Sequence, residues 1–371
     1  MDSLRGVTTT PAGPFTPPAV EQYLRALLGD SVSAVRVAPL SAGAGGDKGY
    51  GYGIPLRLDY EIGGKPYSAV LETVRPGPFG HEHMADRAQS LLWAHRAFAT
   101  LPRHVRSLDV GAVRADGALL PLGGAEEFFI VTEFAAGREY AADLLRLRDG
   151  AALGRLDLQR AEALCDYLVA MHQVPGPNPG LYVRRIRELV GLGECIFGIC
   201  DSYPESAGFV TPQLLEDIER RCVAWRWKLK RRTHRLRQVH GDFHPWNILF
   251  REGVDFTVLD RSRGEWGDPA DDVACLSLNY LFFSLQRAGR LEGDFERLYG
   301  GFWERYLERS GDAEMLEVVA PFLAFRALVM ANPVWYPTLD ALLRQKLFRF
   351  ILAVLEAERF DPAAANRYCE G

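Results

Sequence analysis

VHGDFHPWNILF (239–250), followed by VLDRSRGEWGDPADD (258–272), is the stretch whose reading decides the fold. Asp242 and Asn247 stand five apart, and Asp260 lies thirteen beyond Asn247. Phosphoryl transfer asks little covalent chemistry of a protein. It needs a carboxylate near the acceptor hydroxyl and oxygen ligands for a magnesium ion that bridges the phosphates. Asp242 suits the first role, as the catalytic base or orienter. The side-chain carbonyl of Asn247 and the carboxylate of Asp260, at the end of a hydrophobic strand, suit the second. Ile248, Leu249 and Phe250, with Phe256, Val258 and Leu259, supply the hairpin that fixes those ligands relative to each other. Taken singly, each polar residue is also an ordinary turn or strand-end residue, since Asp and Asn favour turns. Their joint spacing carries the reading.

Outward from this stretch the chain divides in character. Helical spacing is expected over 157–172, 181–200, 211–230, 271–289, 294–309, 313–330 and 338–359, with apolar residues recurring at i, i+3 and i+4. Before Gly137 the period is that of strands. IPLRLDYEI and KPYSAVLETV flank Gly63-Gly64 as a hairpin, SLDVGAV and EEFFIVTEF read as further strands, and 82–99 is a helix. The expected architecture is α+β: a tail and helix over 1–31, a small β-rich lobe over 32–137 and a large, mainly helical lobe over 138–371.

The motif HGDFHPWNILF, then Asp260, then GDPADD resembles the aminoglycoside phosphotransferase and choline kinase family, relatives of the protein kinases. His240, Gly241, Asp242, His244, Asn247, Leu249, Asp260, Gly267, Asp268, Pro269 and Asp272 fill the fixed positions of that pattern. The resemblance implies a kinase-like fold, ATP or GTP with magnesium, and transfer of the terminal phosphoryl group to a hydroxyl of a small molecule. It also implies that His240 braces the loop, that His244 stands behind the reacting residues, and that Asp268 and Asp272 orient the catalytic loop. The acceptor is not implied, because members differ in their acceptor-binding helices. Two alternatives stay open: a pseudokinase-type protein that binds a nucleotide or metabolite without turnover, and, ranked below it, a protein kinase. Only seven residues, Arg261 to Gly267, separate Asp260 from the GDP turn, too few for an evident activation segment.

Composition bounds these readings. With 371 residues, 43 basic against 48 acidic residues and a net charge of −5, the chain lacks the basic excess of a nucleic-acid-binding protein. No apolar run approaches the ~18 residues of a membrane span. The first twenty residues, with four prolines, read as a loose tail rather than a signal peptide. Six cysteines without CxxC spacing read as reduced, mostly buried thiols, hence a cytoplasmic protein without structural zinc. A monomer or weak homodimer is expected.

The nucleotide side departs from the family. The glycine-rich segment 40–53 stands where a phosphate-covering loop is expected, with Gly45, Gly46 and Lys48 the candidate contacts. Kinase-like folds place a basic residue on the third strand, braced by an acid on the next helix. In YSAVLETV that position holds Glu72. Only five lysines occur in the chain, and just Lys48 and Lys65 fall in the first lobe. Glu72 is therefore expected to pair with Arg87, or Lys48 or Arg75 reaches the phosphates instead, or the nucleotide site is degraded. Thr132, Glu133 and Phe134, at the lobe connection, are the candidates for backbone contact with a purine. Arg261 and Arg263, beside the metal-binding Asp260, are surface arginines, or partners for Asp268 and Asp271, or holders of phosphoryl charge or an anionic acceptor group.

Overall fold

The computed structural model describes residues 13–40, 53–98, 100, 102–204 and 208–370. Lys48, Gly45 and Gly46 lie outside the described residues. The chain forms two units, Met1–Thr132 and Glu133–Gly371.

The first unit is strand-rich. Helix α1 (Pro17–Leu28) starts on Thr16, whose hydroxyl accepts from the Ala19 amide at 3.4 Å, with prolines in the first turn where no donor is needed. Its buried Val20 and Leu24 rest on Val32, Leu58 and Tyr60 of an antiparallel sheet ordered β1 (Val32–Pro39), β2 (Gly53–Ile62), β3 (Lys65–Val74). Gly63 and Gly64, at φ of +58° and +78°, make the β2–β3 turn, because both central residues of a tight hairpin need the left-handed region. Helix α2 (Met84–Phe98) buries no side chain within the unit as described, and β4 (Gly111–Val113) pairs with β5 (Leu119–Pro121). The run EEFFIVTEF departs from expectation: none of it is strand, and Phe129, Ile130, Val131 and Phe134 are exposed. Alternating apolar residues report a preference for a pleated surface, and here the backbone finds no ladder to join.

The second unit is helical. It runs through β6 (Arg138–Glu139), α3 (Tyr140–Arg148), α4 (Arg155–His172), α5 (Gly180–Gly191), α6 (Ile196–Asp201) and α7 (Pro212–Leu229). Short strands β7 (Arg237–Gln238), β8 (Ile248–Phe250), β9 (Phe256–Val258) and β10 (Trp266–Gly267) follow. The chain then continues through α8 (Ala270–Ala288), α9 (Gly293–Ser310), α10 (Met315–Val318), α11 (Ala320–Ala331), α12 (Ala341–Glu356) and α13 (Ala365–Glu370). Helix α8 is buried on every side from Ala270 to Leu285, as the middle of a large core must be.

Two expected helices are broken. The segment 181–200 ends α5 at Gly191 and restarts at Ile196, because the backbone at Gly193 folds back so closely that a Cβ on Gly198 would fall 1.8 Å from the Gly193 carbonyl oxygen. The segment 313–330 is divided at Val319, ahead of Pro321, which lacks an amide donor and is tolerated only in a first helical turn. All six cysteines are unpaired and buried. No helix among the described residues is long and apolar enough to cross a membrane.

Candidate active site

The hairpin β8–β9 sets the first distances of the site. Ile248 faces Val258 across it, and the Leu259 amide donates to the Asn247 carbonyl at 2.8 Å, so Asn247 and Asp260 emerge at the same end. Asp260 then adopts φ of +55°, left-handed and unusual for a residue with a side chain, which turns the chain sharply after β9. Its carboxylate accepts no hydrogen bond from a described residue. The Asn247 side-chain amide donates to the Asp242 carbonyl at 3.1 Å, which commits the nitrogen and leaves the oxygen as an acceptor.

The loop that carries Asp242 is held from below by three buried carboxylates at the start of α8. Asp272 accepts from the amides of His240 at 2.8 Å and Gly241 at 2.7 Å, and it faces Nε2 of His172 at 3.2 Å. The other nitrogen of His172 meets the Tyr306 hydroxyl at 2.8 Å. Asp268 accepts two bonds of 2.8 Å from Arg235, one of 2.7 Å from the Tyr182 hydroxyl and one of 3.0 Å from the Ala270 amide. Asp271 lies between two arginines, Arg185 at 3.0 Å and Arg326 at 2.7 Å. Gly241 takes φ of +84° in a tight place: a Cβ there would stand 3.2 Å from the Arg185 guanidinium and 3.3 Å from Cβ of Arg263. His240 ties the loop to the metal side by placing Nε2 2.9 Å from the Leu259 carbonyl, while its Nδ1 faces the Asp242 amide at 3.3 Å. Both contacts are satisfied by one tautomer, with the proton on Nε2.

Asp242 itself is held by Arg326, which donates to its carboxylate, to the Gly241 carbonyl at 2.7 Å and to Asp271. Burial would raise the Asp242 carboxyl, but the charges of Arg326, Arg263 and His244, with the Arg326 hydrogen bond, leave it below the usual carboxylate range. His244 caps the turn at 245–247 by accepting from the Trp246 amide at 3.2 Å, and its Nε2 is 3.8 Å from Asp242. Burial lowers its imidazole below the ordinary value despite the neighbouring carboxylate. An Asn and a carboxylate at one hairpin end fit a hard cation that completes its shell with phosphate oxygens. Among the described residues, no group of three or more His, Cys, Asp and Glu side chains forms an all-protein metal cage.

The remaining candidates are placed differently. Arg261 is spent on backbone, donating to the Val239 carbonyl at 2.9 Å and the Glu265 carbonyl at 3.0 Å. Neither it nor Arg263 pairs with Asp268 or Asp271, whose partners are Arg235, Arg185 and Arg326. In the strand-rich unit Glu72 sits on β3 opposite Pro55 and lies over Gly53, where a Cβ would come within 1.7 Å of its Oε1. Arg87 does not pair with it; its guanidinium donates to the backbone carbonyls of His81 at 3.0 Å and Glu82 at 3.3 Å. Thr132 ends one unit, and Glu133 and Phe134 begin the other, all three outside any strand.

The model of the phosphotransferase enzyme family APH matches residues 60–311. The chain belongs to this family. The fold that goes with it is the two-lobe α+β one, with a small β-rich and a larger helical part. A comparison with curated protein sequences gives no match. Among solved structures, the chain is similar to a glucosamine kinase in complex with glucosamine, ADP and inorganic phosphate, at 16% identity and a TM-score of 0.36, over 58% of this chain and 56% of that one. It thus spans little more than half of that kinase. It is also similar to the amicoumacin kinase hAmiN in complex with AMP-PNP, Ca2+ and Ami, at 16% identity and a TM-score of 0.40, over 88% and 91% of the two chains. The aminoglycoside phosphotransferase APH(3'')-Id from Streptomyces rimosus matches at 18% identity and a TM-score of 0.35, over 82% and 96%. Nothing about the acceptor is taken from these likenesses.

Several residues that build the surroundings of Asp242 escape a reading by motif. Arg326 lies in APFLAFRALVMA, the most apolar helix of the chain, and a lone arginine there must be paired if buried. That was the available signal. Arg185, Arg235, His172 and Tyr182 give none, because their partners are 33 to 100 residues away.

Proposed function

We propose that the chain transfers the terminal phosphoryl group of ATP or GTP, with magnesium, to a hydroxyl of a small molecule. The observation that carries this reading is the fixed carboxylate of Asp242, set beside an Asn247 and an Asp260 that emerge together from one hairpin. Asn247 and Asp260 would hold magnesium, which when bound neutralises charge on the phosphates. Asp242, ionised and engaged by Arg326, has little basicity to spare. Its part is to accept a hydrogen bond from the acceptor hydroxyl and aim that oxygen at the phosphorus, taking the proton as the bond forms. His240 and Asp272 keep the loop in place, and His244 lines it. Orientation of this kind is the main protein contribution in phosphoryl transfer.

A second reading, a nucleotide- or metabolite-binding protein without turnover, is favoured by Glu72, which stands where relatives are expected to carry a base and has no paired cation among the described residues. Calorimetry with ATP and GTP, with and without magnesium, on the wild type and D260A, separates the two when followed by acceptor-stimulated turnover. Magnesium-dependent binding weakened in D260A, with turnover, supports the kinase. Binding without turnover across hydroxyl compounds supports the second reading.

A further inference from the structure

We infer that the acceptor carries an anionic group, a carboxylate or a phosphate, in addition to the hydroxyl it presents, and that Arg263 holds it. The inference rests on the phosphotransferase reading of the same site. Its ground is a charge left over. Around the Asp242 loop, Arg185 pairs with Asp271 at 3.0 Å and with Glu188 at 3.8 Å, and Arg326 pairs with Asp242 and Asp271. Arg263 alone of the three meets no carboxylate among the described residues. Its one hydrogen-bond partner is the Cys195 sulfur at 3.8 Å, a weak acceptor; burial pushes that thiol up, so it stays neutral and offers no countercharge.

The guanidinium is nevertheless held in place. It lies over the Phe325 ring, 5.1 Å from the centroid, and the Arg263 carbonyl accepts from Arg185 at 2.6 Å, which pins the backbone beneath it. The side chain is half-buried, reachable from solvent, and rises beside Gly241, the residue before Asp242. Its charge acts on Asp242. A molecule whose hydroxyl reaches Asp242 therefore meets a fixed guanidinium fork with donors to spare, the geometry suited to a carboxylate or phosphate. The carboxylates around it offer an ammonium group little: Asp242, Asp271 and Glu188 are each bonded to arginine. Glu194, in the exposed turn before Cys195, is the acid that would serve a cationic acceptor instead.

The same fork could hold the oxygens of the phosphoryl group in transit, and the test separates the two sources. Matched alcohols differing in one substituent are assayed with full-length protein and magnesium-ATP: glycerol, glycerate, glycerol 3-phosphate and ethanolamine, and glucose, gluconate, glucose 6-phosphate and glucosamine. Binding of each is followed by calorimetry with magnesium-ADP present. The expected result is a carboxylated or phosphorylated member preferred about 100-fold or more in kcat/KM over its amino counterpart. In R263M that preference should collapse through KM, with R263K retaining part of it. A uniform fall in kcat for every acceptor in R263M, at unchanged KM, assigns the fork to the transferred phosphoryl group and overturns the inference. So does preference for the amines, lost in E194Q, or failure of the wild type to bind any anionic member. Absence of magnesium-nucleotide binding instead sinks the phosphotransferase reading, and anion binding lost in R263M would still uphold the assignment of Arg263.

Discussion

The two units of this chain treat charge in opposite ways. All the buried charged side chains recorded lie in the helical unit, and each buried Asp and Arg there has a partner; Asp143 bridges Arg138 and Arg160, Asp268 bridges Arg235 and Tyr182, and Arg344 is spent on three backbone carbonyls. The strand-rich unit, among its described residues, buries Val20, Leu24, Val32, Leu56, Leu58 and Tyr60 and no charge. Burying a charge costs several kcal/mol unless geometry and partners are good, so such networks specify one arrangement strongly. The difference teaches where rigidity has been placed. The part that must hold Asp242, Asn247 and Asp260 at fixed separations is tied by long-range ion pairs. The other part rests on a thin apolar layer that opens at lower free energy.

Substitutions that strike the two regions should therefore read out differently. The largest effect is expected for D242N, which leaves the network mostly filled but removes the carboxylate to which the proposal assigns the acceptor hydroxyl. Phosphoryl transfer should fall by about 10²–10⁴-fold while magnesium-nucleotide binding by calorimetry persists. Next comes R326M, which takes from Asp242 its bonded guanidinium and leaves Asp271 with Arg185 alone. Breaking such a pair costs about 3–5 kcal/mol, to be seen in the urea midpoint of the helical unit. An unchanged midpoint would show that the guanidinium serves only chemistry. L58A should cost about 2–5 kcal/mol by leaving a cavity under α1, with hydrogen exchange accelerated in β1–β3 and unaltered in α8. Spread of that acceleration into α8 would abolish the contrast between the units.

The smallest effect is one of pH. Burial acts to raise Asp268 and Asp272, yet Arg235 for the first, His172 for the second, and amide donors for both hold them below the usual carboxylate range. A carboxyl with a lowered folded-state pKa contributes stability above its unfolded pKa and loses it as pH falls through the folded value. Stability of the helical unit should thus decline below roughly pH 5. D268N, less stable at neutral pH, should decline less steeply on that acid limb when urea midpoints are compared.

How much of this was legible in the sequence follows from how far apart partners lie. The β8–β9 hairpin and the placing of Asn247 and Asp260 at one end of it were readable, since the two are linked by a short local element. The carboxylates Asp268 and Asp272 were readable from the motif as supports, one just before α8 and one in its first turn, but their arginine and histidine partners were not. Arg326 lies 84 residues from Asp242, and no local period announces a salt bridge of that span. Helix ends were missed where one glycine or proline overrode an apolar period, at Gly193 and Pro321. The strand expected over EEFFIVTEF failed for the opposite reason: the local preference was present, and no pairing partner stands beside it among the described residues. The expected pairing of Glu72 with Arg87 rested on polarity alone, and the arginine found backbone carbonyls next to its own helix instead.

The reach of Arg326 has a consequence for how the protein comes into being. A chain leaves the ribosome N-terminus first, at about 5–20 residues per second. The whole of HGDFHPWNILF, its hairpin, Asp260 and GDPADD are therefore in the open for several seconds before α11 follows. Over that interval a nascent polypeptide carries the complete motif with Asp242 lacking the guanidinium that fixes it. A fragment ending before α11 would be recognised by any motif search and would still present an unclamped carboxylate. During biosynthesis the motif is finished long before the site is.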